Sequence, residues 1–218
     1  MERQSCFRQR SQDGVTGNLE TDYVLEEHSL AIQKGVANID DRNAAGNSPQ
    51  DILEYTLNFQ VSDYFAFEDL VVDDLLGDGQ DFLPGDARGG FVTDGSEIIP
   101  QLTYTQHGET ITVDFDSANF TSVVNADGST SIQFDVYSQL QASHTLISGG
   151  DPILGGLVPS GGLSGGSVDP SVFNAGATTG TITYRVQIRN SHTVVPGEQE
   201  ISQGDELTNT VTISGENL

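Results

Sequence analysis

Apolar and polar residues alternate with a period of two along most of this chain. From Leu53 to Val61, apolar side chains occupy every second position. Because successive side chains of a β-strand point to opposite faces, this alternation predicts half-buried strands rather than amphipathic helices. The predicted strands cover residues 29–36, 52–61, 69–76, 98–106, 110–115, 130–141, 180–189 and 206–214. No segment has the periodicity of a helix longer than a turn or two.

Turn-forming residues separate the predicted strands. Asn, Asp and Gly are concentrated between them, for example in residues 38–51. Many short strands at this spacing predict an all-β fold, an Ig-like antiparallel β-sandwich, which we expect to occupy residues 29–218. Residues 148–180 hold ten glycines and three prolines, so we expect a long Gly-rich loop inserted into the sandwich. Residues 1–28 are polar, and we interpret them as a tail, a linker or a donor strand.

Charge, apolar content and the cysteine count exclude a nucleic-acid partner, a transmembrane helix and an internal disulfide. The 218 residues include 32 Asp and Glu but only 8 Lys and Arg, for a formal net charge of −24. A chain with so few cations cannot neutralise phosphates, which excludes a nucleic-acid partner. No apolar run is long enough to cross a bilayer as a helix, so no transmembrane segment is expected. Cys6 is the single cysteine, which excludes an internal disulfide.

The acidic excess has two interpretations. One is a uniformly charged surface that keeps the protein solvated. The other is a binding site for Ca²⁺, a hard cation that prefers carboxylate oxygens. Four carboxylates lie close together in the sequence, at Asp74, Asp78, Asp81 and Asp86. They predict an irregular calcium site, with a solvated acidic turn as the alternative, and Ca²⁺ is the only cofactor that the sequence indicates.

Nothing in the sequence pairs a nucleophile with a base. The four histidines are scattered without the spacing of metal ligands. Residues 162–166 match the pattern G-x-S-x-G, but a nucleophile elbow needs a strand before it and a helix after it. Neither element is predicted there, so we expect this chain not to be an enzyme.

Lys34, the only lysine of the chain, has an unusual predicted position. The alternation of the first strand puts it on the inward face, together with Leu30, Ile32 and Val36. A charged amine inside a sandwich is costly unless it is paired. Burial also lowers the pKa of a lysine and so favours the neutral, nucleophilic amine.

Two further polar residues interrupt the apolar faces of other strands. Asp74 shares its face with Leu70, Val72 and Leu76, and Asn209 shares its face with Leu207, Val211 and Ile213. We interpret Lys34, Asp74 and Asn209 as one buried group. A neutral lysine amine can attack an Asn carboxamide if a carboxyl shuttles the protons, which releases ammonia and leaves a Lys–Asn isopeptide bond. The alternative is a buried Lys34–Asp74 ion pair that is hydrogen-bonded to Asn209. If the strand register is shifted by one, Asp73 replaces Asp74 as the proton shuttle.

Five short motifs follow one another along the chain. They are LAIQK at 30–34, QDILEYTL at 50–57, LVVDDLLGDG at 70–79, GTITYRV at 180–186 and LTNTVTI at 207–213. In this order they resemble the strands of the DUF11-type and fimbrial D2-type Ig-like repeats of microbial surface proteins. The resemblance covers about residues 26–214.

The resemblance implies an extracellular structural module, such as a stalk, an adhesin or a fibre subunit at the cell surface. Its implied partners are neighbouring repeats or identical subunits. In isopeptide-forming members the Lys lies on the first strand, the Asn on the last and the acid between them. Lys34, Asn209 and Asp74 occupy those places. The alternative function is a Ca²⁺-assisted adhesin module that binds a ligand or a carbohydrate.

Overall fold

A computed structural model of the chain provides the structure. It describes residues 30–42, 46–61, 67–83, 99–106, 109–143, 178–193, 199–202 and 204–217. The predictions made for residues 1–28, for Asp86, for residues 162–166 and for the Gly-rich loop up to residue 177 therefore lie outside the described residues.

The described part of the chain forms ten strands and one helix. In chain order they are β1 (Leu30–Asp40), β2 (Ile52–Val61), β3 (Phe67–Leu76), β4 (Gln80–Leu83), β5 (Gln101–Gln106), β6 (Glu109–Asp114), β7 (Phe120–Val124), β8 (Thr130–Asp135), α1 (Val136–Ser143), β9 (Thr178–Ile188) and β10 (Asn209–Asn217).

These strands form two antiparallel sheets. Sheet one has the order β1-β2-β9-β5-β6, and β4 also pairs with β9, next to the segment that pairs with β5. Sheet two has the order β10-β3-β8-β7. The predicted all-β sandwich is confirmed. The first and last strands each lie at the edge of a different sheet, and they pack against each other.

The core lies between the sheets and is lined by the faces that the alternation predicts. The inward residues of β2 and β3 are buried, namely Leu53, Tyr55, Leu57, Phe59, Val61, Leu70, Val72, Asp74 and Leu76. In β1, Leu30 and Ile32 pack against this core. The prediction for Val36 is wrong, because this residue is 57% exposed. It lies on an edge strand, and the apolar residues of this strand that pack against the core are Leu30 and Ile32.

The strand predicted over residues 130–141 is only half correct. The strand β8 ends at Asp135, and α1 continues from Val136. The carboxylate of Asp135 accepts hydrogen bonds from the Ser138 backbone N–H at 2.8 Å and from the Ser138 hydroxyl at 2.7 Å, and so caps the helix. α1 has eight residues, and no helix within the described ranges has the length and hydropathy of a membrane span.

A buried carboxylate fixes the connection between β1 and β2. Asp51 accepts hydrogen bonds from the backbone N–H groups of Ser48 and Arg42, both at 2.8 Å, and from Asn38 Nδ2 at 3.0 Å. Burial alone would raise the pKa of Asp51, but these hydrogen bonds to its charged form lower that pKa below its usual value. The network holds the end of β1 against the start of β2, and thereby fixes the hairpin that carries Lys34.

Candidate functional site

Three strands bring the predicted group of polar residues together. Lys34 lies on β1, where its register partner on β2 is Leu57. Asp74 lies on β3, opposite Val211 of β10, and Asn209 begins β10 two residues earlier. Residues 209 and 211 share a strand face, so Asp74 and Asn209 are diagonal neighbours on the inward side of sheet two. Lys34 reaches Asp74 from the edge of sheet one.

Lys34 and Asp74 form an ion pair inside the sandwich. Lys34 Nζ donates hydrogen bonds to Asp74 Oδ1 at 2.6 Å and to Asp74 Oδ2 at 2.7 Å. The side chain of Lys34 is 12% exposed and that of Asp74 is fully buried. Removing one partner of such a pair would leave the other charge buried without compensation.

Two tyrosines enclose this ion pair. The hydroxyl of Tyr184 donates a hydrogen bond to Asp74 Oδ2 and accepts one from Lys34 Nζ at 3.0 Å. Lys34 Nζ also lies 4.2 Å from the ring centroid of Tyr55, within the range of a cation–π contact. The two rings are stacked with their centroids 5.4 Å apart.

Asn209 is the unsatisfied member of the site. Both of its side-chain polar atoms, Oδ1 and Nδ2, are buried, and neither makes a hydrogen bond of normal geometry with a described residue. The carboxamide is nevertheless close enough to the Tyr55 and Tyr184 hydroxyls to lower the pKa of each. Burial of an amide without hydrogen bonds destabilises the folded state, so a purely structural role does not account for an Asn at this position. The ion pair that was predicted to be hydrogen-bonded to Asn209 is therefore present, but without that hydrogen bond.

The shifts in pKa have physical causes within the same group. Burial lowers the pKa of Lys34 to about 8, although the charge of Asp74 and its hydrogen bonds oppose the change. Burial raises the pKa of Tyr55, and it raises that of Tyr184 well above 10. The charge of Asp74 adds to both increases, and the carboxamide of Asn209 opposes both. Since Asn209 acts on both phenols, it lies beside the same hydroxyl that Lys34 contacts.

Asp73 lies on the opposite face of β3 from Asp74. It is exposed and accepts a hydrogen bond from Gln133 Nε2 at 2.8 Å on the outer surface of sheet two. The shift of register under which Asp73 would replace Asp74 therefore does not occur.

The residues predicted to bind calcium are divided between two places. Asp74 faces the core, whereas Asp78 is paired with Arg189, and Asp81 Oδ1 lies 3.6 Å from Arg189 Nε. In the described part of the chain, no three His, Cys, Asp or Glu side chains form a group that could hold a metal ion. Asp86 is outside that part, so calcium binding stays a prediction.

Sequence reasoning missed the tyrosines. The alternation places Tyr184 between Ile182 and Val186 on an inward face, where it resembles any other core aromatic residue. Its hydroxyl gains significance only when Lys34 and Asp74 are known to converge on it.

Comparisons with known proteins give solved structures only, since no family model and no curated protein matches this chain. The collagen-binding domain of surface protein RspB from Erysipelothrix rhusiopathiae matches 85% of this chain and 39% of its own, with 14% identity and a TM-score of 0.38. The pilus backbone RrgB of Streptococcus pneumoniae matches 85% and 52%, with 14% identity and a TM-score of 0.37.

A third structure is the major pilin SpaA of Corynebacterium diphtheriae, a protein with stabilising isopeptide bonds. It matches 74% of this chain and 29% of its own, with 12% identity and a TM-score of 0.33. The chain thus spans about half or less of the length of these three proteins. Likeness of this degree assigns neither a family nor an activity.

Proposed function

We propose that this chain is an extracellular structural module of a microbial surface protein or fibre, held together by an isopeptide bond between Lys34 and Asn209. One observation carries the proposal. The Lys34–Asp74 pair lies on the same inward side of the sandwich as Asn209, whose amide atoms are buried without a hydrogen bond of normal geometry to a described residue. These buried polar groups destabilise the folded state if they only fill the core, but they are the groups that isopeptide-bond formation requires.

The reaction moves two protons and exchanges one bond. Lys34 passes one proton from its ammonium group to Asp74, and the neutral amine attacks Cγ of Asn209. The new N–C bond forms, the Lys34 nitrogen gives up a second proton, and Asp74 relays both protons to Nδ2 as the Cγ–Nδ2 bond breaks. The products are one neutral amide between the two side chains and one ammonium ion, with the Asp74 carboxylate restored. Because burial lowers the pKa of Lys34 to about 8, the neutral amine is accessible near neutral pH.

The position of the bond favours a mechanical role. β1 is an edge strand of sheet one and β10 is an edge strand of sheet two, so the bond would join the two sheets. Tension applied at the two ends of the domain would pass through this bond and bypass the hydrogen-bonded ladders between residues 34 and 209. Such a module suits a chain of neighbouring repeats or identical subunits at a cell surface, and it needs no enzyme activity.

The mass of the intact, denatured protein tests the proposal. We expect the full chain to be lighter than its sequence by one ammonia, and Asp74→Ala to have the full mass because the proton shuttle is gone. Asp73→Ala is the matched control, since Asp73 lies on the outer face of the same strand. It should keep the deficit. A wild-type chain of full mass would leave Lys34 and Asp74 as an ion pair only.

A ligand-binding adhesin is the second candidate, and a groove on the outer face of sheet two favours it. The groove has a volume of about 390 Å³ and presents carboxylate, amide and hydroxyl groups from Asp73, Gln133, Thr121, Ser131, Thr210 and Thr212. Calcium-dependent binding to a glycan array would support this function. Filaments of the native protein in electron micrographs would support the fibre module.

A further inference from the structure

We infer that Tyr184 is a positioning residue for bond formation: its hydroxyl holds Asp74 Oδ2, so that Oδ1 is the oxygen that takes the proton of Lys34 and delivers it to Asn209. This inference rests on the proposed isopeptide bond, and it assigns a role to a residue outside the Lys, Asp and Asn group.

The two carboxylate oxygens of Asp74 have different surroundings. Oδ2 accepts hydrogen bonds from both the Tyr184 hydroxyl and Lys34 Nζ. Oδ1 accepts its bond from Lys34 Nζ at 2.6 Å. An oxygen that already accepts a phenol hydrogen is the poorer site for a second proton, so Oδ1 is the one that protonates. The hydrogen bond to Oδ2 also prevents the carboxyl group from rotating while it carries the proton.

The phenol is suited to this task because it remains a donor. Burial and the charge of Asp74 raise the pKa of Tyr184 well above 10, so the hydroxyl keeps its proton throughout the physiological range. The ring is also fixed in place. It is fully buried on β9, stacks on Tyr55, and lies 5.6 Å and 5.7 Å from the ring centroids of Phe82 and Phe134.

The same hydroxyl orients the attacking amine. The ammonium group of Lys34 has three N–H donors, and their acceptors are Oδ1, Oδ2 and the Tyr184 oxygen, the last at 3.0 Å. Once one proton has moved to Oδ1, Tyr184 still accepts an N–H of the neutral amine. This contact limits how the amine can turn once its lone pair has been freed.

The test compares the rate of bond formation in three full-length chains. Wild type, Tyr184→Phe and Tyr104→Phe are recovered as insoluble chains that have not folded, dissolved in guanidinium and shown by mass spectrometry to have the full sequence mass. They are then diluted into buffers of different pH. Mass spectrometry of acid-quenched samples then measures the loss of ammonia over time, while near-UV circular dichroism follows folding. Tyr104→Phe is the matched control, because it also removes a buried hydroxyl from sheet one, but outside the site.

We expect Tyr184→Phe to fold like wild type but to form the bond about tenfold more slowly or worse, as the loss of a hydrogen bond to a charged group implies. The pH of half-maximal rate should also move, because the titrating amine of Lys34 has lost an acceptor. Tyr104→Phe should keep both values. An unchanged rate, or a slower rate with an unmoved pH midpoint, would overturn the inference.

Two further outcomes keep the inference separate from the bond itself. A wild-type chain that never loses ammonia contradicts the proposed function, whereas a wild-type chain that does so while Tyr184→Phe is equally fast contradicts only the role of Tyr184. If Tyr184→Phe does not fold, replacement of tyrosine by a fluorinated tyrosine keeps every hydroxyl and makes it more acidic. The pH midpoint should then move, and an unmoved midpoint would overturn the inference.

Discussion

Lys34 combines a desolvated amine with a carboxylate that only partly compensates for its burial. The net result is a pKa lowered to about 8, with burial as the larger effect and Asp74 as the opposing one. The site therefore stabilises the ion pair less than its short distances suggest. A group of this kind is poised to lose a proton, which is what a nucleophilic lysine requires.

This balance predicts how stability depends on pH when the bond cannot form. In Asn209→Ala, Lys34 stays free, with a pKa of about 8 when folded and about 10.4 when unfolded. Between these values the unfolded chain binds more protons, so the free energy of unfolding should rise from about pH 8 to pH 10. Above about pH 10 it should fall, because the buried Tyr55 and Tyr184 keep protons that the unfolded phenols lose.

Guanidinium unfolding at a series of pH values measures this curve. Wild type should not show the rise, since an amide nitrogen does not titrate, and neither should Lys34→Met combined with Asn209→Ala. The same rise in wild type would mean that its Lys34 amine is free.

At the scale of the strands, β2 and β9 meet at a contact that only glycine permits. Gly180 is the register partner of Phe59, whose ring lies over it. A Cβ atom built on Gly180 would lie 2.0 Å from that ring, whereas one on Gly35 of β1 would meet its nearest atom at 3.9 Å. Phe59 is 3% exposed and is part of the core cluster, so its ring is enclosed by other core residues.

Gly180→Ala should therefore destabilise the fold by roughly 1–3 kcal/mol, the usual cost of an overpacked core. Gly35→Ala on β1 is the control, and it should change the free energy of unfolding by less than about 0.5 kcal/mol. Thermal denaturation of both variants measures the difference. Equal melting temperatures would show that the ring of Phe59 does not occupy this space.

The alternation predicted the strands where packing alone decides their extent. The strand predicted over 52–61 has the same bounds as β2, because its apolar pattern begins and ends with buried residues. The strand over 130–141 was half wrong, because the cap formed by Asp135 is a local hydrogen bond that hydrophobicity does not encode. The four residues of β4 are too few for a period to be recognised.

The same reasoning explains which site residues could be predicted. Lys34, Asp74 and Asn209 are polar residues at apolar positions, so each is visible as a break in the pattern. Tyr184 breaks no pattern, because its ring satisfies the core and only its hydroxyl serves the site. The residues proposed for calcium were grouped by their closeness in sequence, but Asp74 pairs with Lys34 in the core, whereas Asp78 lies beyond the end of β3 and pairs with Arg189.

For the whole molecule, the proposed bond closes a loop between residues 34 and 209, a separation of 209 − 34 = 175 positions. Restricting the unfolded chain by a link of this length is worth about 5 kcal/mol on the loop-entropy model used for disulfides. The link would take the place of a disulfide in a chain whose single cysteine cannot form an internal one.

Asn209→Ala should lower the free energy of unfolding by about that 5 kcal/mol, because it removes the bond and leaves the Lys34–Asp74 pair in place. Asn58→Ala is the matched control. Asn58 lies on β2 and accepts a hydrogen bond from Thr181 at an exposed position, so its loss should cost about 1 kcal/mol or less. If Asn209→Ala has the same melting temperature as wild type, no cross-link closes this loop.

Tryptic digestion tests the central claim most directly, because trypsin cuts after a lysine only when its amine is free. Lys34 is the sole lysine, and the arginines at 10, 42 and 189 set the other cuts. The account predicts a branched peptide in which residues 11–42 are joined to residues 190–218, with a mass one ammonia below the sum of the two. Tandem mass spectrometry should locate the branch at Lys34 and Asn209. The contradicting result is a peptide that spans residues 11–34 and ends in a free Lys34. It would have to come from wild-type protein that had folded before it was denatured and digested.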